Sequence, residues 1–144
     1  MIPSSVRIPV PFDYVFPRGA LFLSVDAQVD FDRLRESDNQ ARDETGTRLW
    51  VVKVMDLDPA AGRFNASTER KVKIAANIEP AAPVSAVPGY PPMVEFTDVT
   101  VTPYTDNGPC KGNRTPHVCR ARLAWSIRAT GMTEAALPAV PVPA

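Results

Sequence analysis

The sequence predicts an all-β domain, and three observations predict it. Runs of β-branched and aromatic residues recur between turn signals. Within those runs apolar and polar residues alternate with period two, as on a half-buried strand. Sixteen prolines in 144 residues, about double the ~5% average, cluster near both ends and in the middle, where they exclude long helices. A chain of this length sits near the mode for one domain and buries roughly two-thirds of its unfolded surface, enough to fold without metal or disulfide.

Taken in order, residues 1–18 interleave Pro3, Pro9, Pro11 and Pro17 with Val10, Phe12, Tyr14 and Phe16. They read as an extended arm whose aromatics pack onto the domain that follows at 19–132. A first strand spans Ala20 to Val29, with Leu21, Leu23 and Val25 on one face and Phe22 on the other. After a polar loop, Asp43-Glu44-Thr45-Gly46 has turn composition: the aspartate bonds ahead to backbone and the glycine tolerates positive φ. The second limb of the expected hairpin, Arg48 to Asp56, is the strongest strand signal. Asp58-Pro59 and Gly62 end it.

From Arg70 to Ile78 the alternation is clean, with Val72, Ile74 and Ala76 one way and Lys71 and Lys73 the other. Residues 79–92 hold five prolines and read as irregular. Val94 to Tyr104 is a strand whose apolar face switches near Asp98, the mark of a bulge. Arg120 to Ala129 closes the domain with Leu123, Trp125 and Ile127 inward, leaving 133–144 as a disordered or polyproline-like tail. Trp50, Trp125, Phe22 and Phe96 all fit core positions. Five to six antiparallel strands without a major helix mean a small OB-like barrel or a sandwich. The barrel fits best, with the proline-rich excursion standing where that fold usually carries a capping helix.

Composition excludes several functions. The only histidine is His117, set among loop residues, so no nucleophile–base triad can be assembled. No phosphate-binding glycine loop occurs. The expectation is a non-enzymatic protein that needs no cofactor. Cys110, His117 and Cys119 supply three possible ligands, with Asp106 the nearest fourth, but their spacing is not that of a zinc site. No stretch approaches the ~20 apolar residues of a membrane span. The first residues lack a signal-peptide pattern, so the expected location is the cytoplasm, where both thiols stay reduced.

Net charge is zero but unevenly placed. Acids prevail from Asp26 to Glu44. From Cys110 to Gly131 there are Lys111, Arg114, Arg120, Arg122 and Arg128 and no acid. That basic hairpin, extended by Lys53, Lys71 and Lys73 where their strands face the same way, forms a candidate nucleic-acid surface. Tyr104, Tyr90 and Phe64 are candidates for base stacking, which favours single strands. The same cations also fit an ordinary solvated strand face.

Several ordered segments resemble one family: Val15 to Ala20, Gln40 to Gly46, Leu49 to Pro59, Val72 to Ala76, Val94 to Phe96, Val99 to Tyr104, and Arg122 to Met132. Together they are similar to the actinobacterial plasmid replication, integration and excision activators carried by integrative and conjugative elements. The resemblance covers residues 15–132. It implies an accessory role in switching an element from its integrated to its replicating form, with no enzyme activity, and it hands over no site residues. Three readings stay open: single-stranded DNA binding through the basic hairpin, recruitment of a replication or recombination protein, and transcriptional regulation of the element. No helix-turn-helix, zinc finger or basic-region helix supports the last. No residue pattern requires a particular oligomeric state.

Overall fold

A computed structural model describes residues 1–108, 110 and 119–136. Among them eight strands join one curled, half-barrel sheet: β1 (Ile8–Pro9), β2 (Ala20–Ala27), β3 (Leu49–Asp56), β4 (Glu69–Ala75), β5 (Met93–Thr97), β6 (Thr100–Asp106), β7 (Arg122–Ala129) and β8 (Gly131–Glu134). Helix among the described residues is confined to one short turn, α1 (Phe12–Val15), and two 3-10 segments at Phe31–Arg33 and Pro59–Asn65. The lateral order is β1-β6-β7-β4-β3-β2-β5-β8. β2, β3 and β4 form an antiparallel meander, and β4 then pairs in parallel with β7. The segment 79–92 carries no strand or helix.

β3 and β4 form because their alternation places Val52, Val54, Val72 and Ile74 on one face, where all four are at most 1% exposed. Fully burying a side chain of this size contributes roughly 1.5–3 kcal/mol. The same core takes Phe16, Ala20, Val94, Phe96, Val99, Ile127 and Ala129. At one end the arm contributes an aromatic cluster, with Phe12 and Phe16 ring centroids 5.4 Å apart and Phe96 6.1 and 6.3 Å from them. Tyr14, from the same arm, stays exposed. Proline does not keep the arm out of the sheet entirely, since Ile8 and Pro9 pair with Val101 and Thr100 at its edge.

Two departures from simple alternation reshape the expected picture. A register shift between Phe22 and Ser24 inverts the parity of β2. Ala20, Phe22 and Val25 therefore pack on the core, and Leu23 faces solvent instead of sharing a face with Val25. The second departure lies at Asp98, where a corner divides the expected single strand into β5 and β6. Thr97 pairs with Gly131 and Thr100 with Arg128, so the same register continues through it. Asp98 takes φ 50°, and its carboxylate accepts a 2.9 Å bond from the Thr130 hydroxyl. The Thr130 amide donates to the Thr97 carbonyl at 3.0 Å. Residues 93–106 and 122–134 are thus one bent hairpin. Its β5 half is bonded to β2 and its β7 half to β4.

The loop between β2 and β3 is held by its own polar residues. Asp43 Oδ1 accepts from the amides of Thr45 and Thr47, and Gly46 takes φ 84°, as the turn composition requires. The hairpin expected there is reduced to the isolated bridge Arg42–Arg48 and the flanking backbone bonds from Asp43 to Thr47 and from Leu49 to Ala41, and β3 pairs along its length with β2 and β4. Buried Gln40 donates to the Leu49 carbonyl at 2.9 Å and accepts from Arg48. Asp38 bridges Arg42 and Arg48, and those hydrogen bonds hold its carboxyl below the usual carboxylate range.

Candidate nucleic-acid interface

Strand alternation turns Lys53, Lys71 and Lys73 away from the core formed by Val52, Val54, Val72 and Ile74. Register then aligns them. Lys53 stands directly opposite Lys71, and Lys73 lies beside Arg128, which is itself opposite Thr100. Arg122 and Tyr104 have the same parity on β7 and β6, so six of the expected residues share the outer face of β3, β4, β7 and β6. Arg120 is exposed just before β7. Lys111 and Arg114, with His117, lie outside the described residues.

Like charges on directly opposed strand positions repel, and this face does little to neutralise them. Among the described residues no ion pair within 4 Å involves Lys53, Lys71, Lys73 or Arg128. Burial, then Arg128, then Lys71 push the Lys73 ammonium below the ordinary lysine range. Arg128 is lowered first by burial and then by Arg7, against the opposing pull of Glu44 and Asp43. Those two acids belong to the turn of the β2–β3 loop, which Arg7 grips through Glu44 at 2.9 Å. Arg122 lies 3.5 Å from Asp106.

Where β4 and β7 stop pairing they part around a cleft of about 1180 Å3. Arg70, Lys71, Lys73, Arg122, Tyr104 and Trp125 line it, with Tyr14 and Val15 from α1. Here the structure corrects the expected role of two residues. Leu123 and Trp125 do share parity with buried Ile127, yet they are 65% and 49% exposed. The β6–β7 hairpin extends past the last β4–β7 pair, so at Leu123 and Trp125 β7 has no β4 neighbour beside it. Trp50, by contrast, is half-buried, and its indole N–H donates to the Ala76 carbonyl at 2.8 Å. Tyr104 is half exposed, Tyr90 more so, and Phe64 is fully exposed at φ 57°.

Sequence reasoning missed Trp125, Leu123, Arg70 and Tyr14. Alternation names the face of a residue but not where the partner strand ends, and no composition signal marks that end. The described residues contain no group of His, Cys, Asp and Glu able to hold a metal ion, and Cys119 is exposed. No described helix is long and apolar enough to cross a membrane. No family model matches the chain, and neither a curated protein nor a solved structure matches it.

Proposed function

We propose that this chain is a non-enzymatic accessory protein that binds single-stranded DNA across the outer face of β3, β4, β7 and β6, in the service of replication and excision of a plasmid or integrative element. The observation that carries the reading is the alignment of Lys53 with Lys71 and Lys73 with Arg128. A fold tolerates opposed like charges more readily when a ligand neutralises them, and phosphates would do so. Tyr104 adds an exposed ring on the same face for a base to stack on.

The pairing order supports an OB-like barrel. Counting the bent hairpin as two strands, β2, β3 and β4 are the first three, residues 93–106 the fourth and residues 122–134 the fifth. Barrels of this type bind oligonucleotides on the face of their second and third strands, between the loops joining strands one to two and four to five. Those strands are β3 and β4 here, and the second of the loops is the basic segment 107–121. The mobile-element role comes from the family resemblance alone.

The test is fluorescence anisotropy with labelled oligo-dT over a range of salt. Five phosphate contacts, from Lys53, Lys71, Lys73, Arg122 and Arg128, predict a slope of log affinity against log salt of about −3.5. Flat anisotropy at low salt on both oligo-dT and duplex DNA would overturn the reading.

A further inference from the structure

β4 and β7 are partners over only three pairs, Val72–Ile127, Lys73–Arg128 and Ile74–Ala129. Toward the start of both strands they separate, while β7 stays paired with β6 through Arg122 to Ser126. That stretch therefore has one edge bonded and the other turned to the cleft. The register of β7 with β4 begins only at Ile127, and among the described residues no turn or loop backbone bond involves residues 122–126. β4 is less open, because the Ser67 hydroxyl already accepts from the Glu69 amide and Arg70 donates to the Glu69 carbonyl.

Proteins ordinarily blunt such an edge with charge, proline or a covering loop. Here the inner face beside it carries exposed Trp125 and Leu123, with exposed Tyr14 also in the lining of the cleft. The charge of the rim favours an anion. Arg70, Lys71, Lys73 and Arg122 face Glu69 and Asp106, and Asp106 is already engaged by Arg122.

We propose that this cleft docks an extended, acidic segment of a partner protein. The segment adds as a strand to the β7 edge at Arg122–Ser126 and seats apolar side chains on Trp125 and Leu123. A peptide fits better than a nucleic acid, because a strand edge presents alternating donors and acceptors at the repeat of another peptide backbone. A phosphodiester offers acceptors only and would leave the β7 carbonyls unpaired. The inference goes beyond DNA binding and does not depend on it: Lys71, Lys73 and Arg122 belong to both surfaces, but the strand edge, Trp125 and Leu123 belong to the cleft alone.

The experiment selects a displayed library of random short peptides on the full chain, then measures a labelled selected peptide by anisotropy. Enrichment of acidic sequences with alternating apolar residues is expected. Trp125→Ala should weaken the selected peptide by about 30-fold, as truncating an aromatic anchor does. N-methylation of alternate peptide amides should weaken it comparably. Hydrogen exchange should slow at the amides of 122–126 on binding, which reports the edge whether or not a variant folds. Lys53→Gln, outside the cleft, should weaken oligo-dT and leave the peptide unaffected. No enrichment, selection of basic sequences, or affinity indifferent to both Trp125→Ala and N-methylation would overturn the proposal. So would displacement of the peptide by oligo-dT with Trp125→Ala weakening both ligands equally, which would make the cleft part of a nucleic-acid site.

Discussion

Exchanging Lys71 for glutamate should make this protein more stable and worse at binding DNA. Lys71 stands directly opposite Lys53 and is one of the charges that lower the Lys73 ammonium. Opposed like charges on a sheet cost, and opposite charges contribute, roughly 0.2–1 kcal/mol. Reversing one partner passes from the first case to the second, a gain of about 0.4–2 kcal/mol before solvent screening. Lys71 is exposed, so the lower half of that span applies. A gain of about 1 kcal/mol raises the unfolding midpoint of a chain this long by about 2–4 °C. The gain should fade in 1 M salt, where the Debye length is about 3 Å.

Losing one phosphate contact flattens the salt slope by about 0.7 and, from counterion release alone, weakens binding roughly fivefold at 0.1 M salt. Repulsion by the new carboxylate adds to that loss. The assay is thermal unfolding at low and high salt alongside oligo-dT anisotropy on the same samples. A midpoint that falls or stays put at low salt refutes the repulsion argument. A midpoint that rises while affinity is unchanged refutes the interface and leaves a solvated strand face.

Three further outcomes follow from the packing. Lys73 has a folded pKa below its unfolded value of about 10.4, first through burial, so between the two the unfolded chain binds more protons and stability rises with pH. Lys73→Met should therefore stabilise at neutral pH, with the gain in urea denaturation shrinking as pH climbs toward about 10. Asp98→Val places a β-branched side chain at φ 50° and removes the nearer of two acceptors for the Thr130 hydroxyl, leaving the Thr97 carbonyl at 3.3 Å. It should cost about 1–3 kcal/mol by denaturant unfolding, whereas Asp98→Asn should cost much less. Gln40→Leu leaves the Leu49 carbonyl without its side-chain donor and Arg48 without one acceptor; the expected loss is about 1–3 kcal/mol, together with faster hydrogen exchange in the β2–β3 loop.

What could be read from the sequence was what local chemistry decides. The alternation of Val72 and Ile74 with Lys71 and Lys73 located β4 and both its faces, and Asp43 with Gly46 located a turn. What escaped was decided by partners distant in the chain. Leu21, Leu23 and Val25 look like one core face, but the shift between Phe22 and Ser24 puts Val25 on the side of Phe22 and leaves Leu23 exposed. The apolar switch at Asp98 was visible, but a bulge and a corner leave the same local trace. Only the pairing of Thr97 with Gly131 and Thr100 with Arg128 separates them. Of the candidate surface, the charges were legible as residue types and their alignment was not. Trp125 has the parity of a core residue, and parity carries no knowledge of where β4 ends.

The place of β7 in the sheet has a consequence for how the chain acquires its structure. It is nearly the last strand in sequence but lies between β4 and β6, bonded to both. During synthesis β2, β3 and β4 can zip as a meander of neighbours, while β6 must wait for its central partner. The arm waits too, since Thr102 Oγ1 reaches back to the Val6 carbonyl across 96 positions. Contacts of such long sequence separation make folding slow and leave strand edges bare in the meantime. A nascent chain stalled before Arg122 would hold its meander with β4 unpaired on one side, and this protein should then depend most on chaperones.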